Sequence, residues 1–242
     1  MNGSVRDSLY DTHSRRRALC VMRRGTSFLT AALVACGGSS GSTSPSSAAP
    51  ATPTGANNAP TCVIASGGQG GPINDQSGPY YHQVVIAHTT DGLAMTGLRQ
   101  VIDHASVPDG VRRADGSVFV YYVNGATGYT DVARIEGDSA RVIGPITIDG
   151  KRNPLGVVDP DAVLLPDGRI RLAFFWGFGA PGTNIARAMC IAESNDGINF
   201  TMKGTALPFG PTEMLTDPSL LALPDGSWLM AISAGQNTLI TR

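Results

Sequence analysis

Aromatic residues make up only 6% of this 242-residue chain, and charged residues only 15%. Cysteine is scarcer still: there are four, with no CxxC and no Cys/His cluster, so the spacing of a zinc site is missing. Positive charge is not in excess either. Residues 1–35 hold six Arg and two Asp, which leaves 12 of the 18 basic and 17 of the 19 acidic residues in the remainder, a net of −5. A nucleic-acid binder needs a basic face to neutralise phosphates, so no nucleic-acid partner is expected. Beyond residue 36 no apolar run is long enough for a transmembrane helix, and no stretch carries helical periodicity. What is plentiful is Gly (30) and Pro (16), the residues of turns.

The one short apolar run lies near the start. Arg23 and Arg24 precede Phe28 to Ala35, a segment too short to hold a bilayer and typical of an export signal. It ends in Leu33-Val34-Ala35-Cys36, which resembles the bacterial lipobox. That resemblance implies lipidation of Cys36 and a lipoprotein of the cell envelope whose only membrane contact is its lipid anchor. Gly37 after the cysteine, in place of Asp, favours the outer membrane by the enterobacterial sorting rule. A plain secretory peptide, giving a secreted or periplasmic protein, is the alternative. The true start is Met1 or Met22. Ser14 to Leu19 faintly resembles a twin-arginine signal, but Arg23 and Arg24 interrupt the apolar stretch that should follow.

Three segments follow: residues 1–36 for export, 37–79 as a tether, and 80–242 as the folded domain. Residues 37 to about 60 are Gly, Ser, Thr, Pro, Ala and Asn without charge, and cannot bury enough apolar surface to offset chain entropy. Cys62 to Pro79 is still Gly-rich and is expected to wind onto the domain surface. In an oxidising compartment Cys62 and Cys190 can pair. The alternative is that Cys190, within Ala188-Met189-Cys190-Ile191-Ala192, is a buried small residue.

The domain repeats. Pro108, Pro160 and Pro218 are each followed seven residues later by Asp-Gly, at Asp115-Gly116, Asp167-Gly168 and Asp225-Gly226, with spacings of 52 and 58 residues between units. Each Asp-Gly sits between two strand-like runs, such as Ala162 to Leu165 and Arg169 to Trp176, and supplies the positive-φ residue of a tight hairpin. A second element, Ala87 to Met95, aligns with Ala192 to Phe200 at a spacing of 105 residues. The unit between them, around Ala133 to Ser139, has the strand but lacks the turn. A repeat of this length with strand–turn–strand content predicts an all-β fold, a β-propeller of four-stranded blades. About three units fit between Tyr80 and Arg242, with the last ending after its second strand, so a partial propeller or fragment is expected.

Val158-Asp159-Pro160-Asp161 through Trp176-Gly177, and Thr216-Asp217-Pro218-Ser219-Leu220-Leu221, resemble blades of the five-bladed glycoside hydrolases of the arabinanase, β-xylosidase and invertase-like families. Ser194-Asn195-Asp196-Gly197-Ile198-Asn199-Phe200 is similar to the Asp-box turn of those enzymes and of sialidases. The resemblance implies that Asp159 and Asp217 point into the central cavity, one as base or nucleophile and the other tuning a pKa, with Glu213 as the candidate acid. Hydrolysis of a glycosidic bond needs one carboxyl protonated for the leaving oxygen and one ionised to activate water or attack the sugar. The implied partner is a polysaccharide or glycan, with no cofactor and a structural calcium left open.

The pattern is departed from in two places. The first unit reads Val107-Pro108-Asp109, its carboxylate read as shifted by one residue and so expected on the other face of the strand, and no Glu-Gly-Pro-type acid motif is present. An Asp ahead of Pro also serves turns by accepting backbone N–H groups. Besides hydrolysis, two alternatives follow: a non-catalytic surface propeller that binds glycan or protein, or an inactive fragment.

Overall fold

The computed structural model describes residues 61–65, 69–177, 187–210, 213 and 215–242. Cys36, the export segment and the tether up to residue 60 lie outside the described residues. Among the described residues the chain is all-β, with one helical element, a 3-10 turn at Pro79–Tyr81. Among the described residues no helix is long and apolar enough to cross a membrane.

The strands fall into four successive units. The first holds β1 (Gln83–His88) and β2 (Thr96–Asp103). The second is a four-stranded antiparallel meander of β3 (Ala105–Arg112), β4 (Val118–Asn124), β5 (Thr130–Glu136) and β6 (Ser139–Pro145). A short β7 (Thr147–Ile148) leads to the third, made of β8 (Val158–Leu164), β9 (Ile170–Trp176), β10 (Arg187–Ser194) and β11 (Asn199–Phe209), with β7 pairing parallel at its outer edge. The fourth holds β12 (Leu215–Ala222), β13 (Trp228–Ala234) and β14 (Asn237–Thr241). That third strand corrects the expectation that the last unit ends after its second. Asn237–Thr241 is short and exposed along its length, so it leaves no alternating pattern to find.

The radial arrangement follows from which residues are buried. Along β4, Phe119 and Tyr121 face one core while Val120 and Tyr122 face another. Along β9, Leu172 and Phe174 face the second unit while Ala173 and Phe175 face the fourth. Successive side chains of a strand leave opposite faces, so a sheet packed on both sides needs a continuous apolar run. The runs VFVYYV and LAFFW meet that need. Three cores therefore lie between the first and second, second and third, and third and fourth sheets, and the innermost strands β3, β8 and β12 stand side by side around a common axis. This is the partial propeller that the repeat predicts.

The folded body begins earlier than Tyr80. Cys62 and Ile64 are 3% and 4% exposed and lie in the core between the second and third sheets, and Cys62 is disulfide-bonded to Cys190 on β10. The Trp176 indole N–H donates to the Val63 carbonyl at 3.0 Å. Cys62 and Ile64 thus wedge between two sheets, while farther along Gly71 and Ile73 hold the chain to the domain surface through the Thr127 and Gly125 carbonyls. Spacing alone could not place the wedge, because the cysteines are 128 residues apart.

The Asp-Gly hairpins repeat closely. Gly116, Gly168 and Gly226 have φ of 84°, 87° and 83°, and Asp115, Asp167 and Asp225 each accept the backbone N–H two residues on, at 2.9, 3.1 and 3.0 Å. The two longer turns also match. Thr89 and Asp91 in one, Ser194 and Asp196 in the other, collect the N–H groups of Gly92, Leu93 and Ala94, or of Gly197, Ile198 and Asn199. Between them in sequence, β5 and β6 close instead through Gly137, and Asp138 there meets His88 at 2.9 Å.

Candidate functional site

The site is built at the opening ends of the three inner strands. Each has a register irregularity there, between Ser106 and Asp109, Val158 and Asp161, and Thr216 and Ser219. The residue before each proline has a positive φ: 44° at Val107, 50° at Asp159 and 50° at Asp217. Proline excludes the right-handed helical region for its predecessor, and here the bulge drives that residue into the left-handed one. Val107 adopts it too, although a β-branched side chain opposes it. The kink therefore belongs to the architecture, and the side chain it presents is what distinguishes the units.

Asp159 and Asp217 come together. The Asp217 backbone N–H donates to Asp159 Oδ2 at 3.3 Å, and the Thr216 hydroxyl donates to Asp217 Oδ2 at 3.1 Å. Both aspartates are half-buried. Glu213 lies on the loop entering β12 and is exposed; its Oε2 accepts the Gly210 N–H at 2.5 Å, and its own N–H returns to the Gly210 carbonyl at 3.1 Å. Its described hydrogen bonds thus close a local turn and do not reach either aspartate.

The residue after each proline has a separate job. Asp109 Oδ2 accepts the Ala162 N–H of the next sheet at 2.6 Å, and Asp161 Oδ2 accepts the Leu220 N–H of the sheet after that at 2.9 Å. These bonds satisfy free N–H groups on the axis-facing edges of the inner strands, which would otherwise be orphaned. Desolvation pushes the Asp109 carboxyl up to about 6 against the pull of the Ala162 and Gly110 N–H groups. Desolvation, with the Asp109 charge adding to it, pushes Asp161 up to about 7. The apparent displacement of the first unit's carboxylate is corrected here. Asp109 is the counterpart of Asp161 and Ser219, and the counterpart of Asp159 and Asp217 is Val107. Aligning the three prolines was the signal that could have found both clamps.

Trp176 packs against the core, whereas Trp228 lies at the hairpin end, where the Arg171 guanidinium stands 4.4 Å over its ring and both line a cleft of about 240 Å³ between the third and fourth sheets. Among the described residues no three His, Cys, Asp or Glu side chains converge as a metal site would need.

No protein-family model matches the chain, and no curated protein matches it. Among solved structures it is similar to fructan 1-exohydrolase IIa from Cichorium intybus, at 14% identity and a TM-score of 0.43. The match covers 59% of this chain and 32% of that enzyme, so the chain spans about a third of its length.

Proposed function

We propose that this chain is the propeller of an exported glycoside hydrolase that cleaves glycosidic bonds in polysaccharide with a carboxylate pair, Asp159 and Asp217. One observation carries the reading: two aspartates at equivalent kinks of neighbouring inner strands meet at the axial end, where Asp159 takes the Asp217 N–H at 3.3 Å. In this reading Asp159, held by the Asp217 N–H, activates water or attacks the sugar. Glu213, exposed at the rim, is the acid in this reading. Asp161 stands behind Asp159 as a clamp between sheets.

Export is part of the proposal. A Cys62–Cys190 disulfide suits an oxidising compartment, and Cys36 is proposed as the lipid-bearing residue holding the protein at the outer membrane. The test is turnover of 4-nitrophenyl arabinofuranoside and xyloside and of sucrose by the wild type, Asp159→Asn and Asp217→Asn. Turnover lost in both variants, with melting unchanged, supports the reading. A wild type that is retained by polysaccharide in affinity gels but turns over none of the three makes the propeller a binding module. Lipid labelling that persists in Cys36→Ser rules out the anchor.

A further inference from the structure

In the second unit the axial kink presents Val107, where the next two units present Asp159 and Asp217. At that kink the repeat provides no carboxylate, and the segment ahead of β1 brings a polar ring. The Gly125 N–H bonds the His104 carbonyl, which turns that carbonyl toward β4. Alternation along a strand then points the next N–H, that of Ala105, to the free edge facing the axis. There it donates to the His82 carbonyl at 2.9 Å. The His82 ring is fixed as well: its Nδ1 lies 2.7 Å from the hydroxyl of Ser106, a residue 5% exposed and next in sequence to Val107.

Two further contacts hold the segment. Tyr80 stacks on His104 at 3.9 Å, and His104 Nδ1 donates to the Tyr80 carbonyl at 2.6 Å. The repeat then places His82 relative to the pair. Asp217 meets Asp159 one unit back, and one further unit back from Asp159 is Val107, adjoining the residue that His82 grips. With Nδ1 taken by Ser106, Nε2 is the remaining polar atom of an exposed ring on the axis-facing edge.

We propose that His82 is a further substrate-contacting group of the axial site beside Asp159, Asp217 and Glu213, its Nε2 hydrogen-bonded to a sugar hydroxyl, where the repeat itself provides valine in place of aspartate. This rests on the reading that the axial end takes glycan. On the glycoside that the wild type turns over, His82→Phe lowers kcat/KM about 10-fold, chiefly through KM, as loss of one substrate hydrogen bond predicts. Ser106→Ala, which frees the ring, lowers it about 3-fold, and the melting curve of each variant stays in place. An unchanged kcat/KM in His82→Phe, beside an inactive Asp159→Asn, overturns the inference and leaves the hydrolase reading standing. If the wild type turns over nothing, its imidazole ¹⁵N–¹H signals decide. A His82 shift on titration with arabinan or xylan oligosaccharide upholds the contact after the hydrolase reading has fallen, and no shift overturns it.

Discussion

At the hairpin end of the sheets, Asp115, Asp167 and Asp225 lie in open turns; at the axial end, Asp109 and Asp161 are half-buried between sheets. Side-chain bonds from Ser117, Arg169 and Ser227, then backbone N–H groups, hold the turn aspartates below their ordinary pKa. Burial drives the axial pair up to about 6 and about 7, although each accepts N–H bonds just as the turn aspartates do. The same residue with the same kind of partner thus reaches opposite charge preferences, and desolvation decides which. A turn aspartate is an ionised brace. An axial clamp is a carboxyl that keeps its proton to near neutrality.

The contrast is broken most severely by Asp159→Asn or Asp217→Asn. Turnover should fall by about 10²–10⁴-fold in either, whereas Asp167→Asn at the hairpin end should leave it within about twofold. Initial rates together with melting temperatures separate the two ends. Next in size is the pH response of the clamps. A carboxyl whose pKa is raised by folding binds its proton more tightly in the native state, so its stabilisation is full below pH 3.8 and is lost as pH rises through about 6 for Asp109 and about 7 for Asp161. The unfolding free energy from urea titration should therefore fall between pH 4 and pH 8, by on the order of a few kcal/mol. Asp109→Asn with Asp161→Asn, which keeps an acceptor oxygen without the charge, should flatten that slope.

Smaller effects sharpen the same comparison. Asp196 is held below its ordinary pKa: burial opposes ionisation, but the Asn199 and Ile198 donors outweigh it. Asp196→Ala should cost about 1 kcal/mol through unpaired N–H groups, read by denaturant unfolding, with turnover per folded molecule unchanged. Val107→Asn should stabilise by about 1 kcal/mol, because Asn tolerates the left-handed kink that a β-branched residue resists.

Much of this was legible in the primary structure. The Pro–Asp-Gly spacing marks the inner hairpins, and the apolar runs of β4 and β9 mark sheets buried on both faces. The axial aspartates were legible as candidates. Which of the two flanking a proline meets the next sheet was not, because a bulge resets the alternation that residue counting relies on. His82 was invisible for another reason: it enters from outside the repeat, through a carbonyl bond to Ala105 that no pattern of side chains encodes. Cys62 and Ile64 were hidden in a Gly-rich stretch whose burial depends on two sheets far along the chain.

The Cys62–Cys190 bond has a topological consequence. It turns everything between those residues into a covalent ring, so a single nick within it does not release a piece. Trypsin cutting after Lys151, which is exposed beside the Asp149-Gly150 turn, would leave both portions migrating as one band until a reductant is added. Wear of this kind would leave the polypeptide physically intact, its halves still shackled across the wedge that joins the second and third sheets.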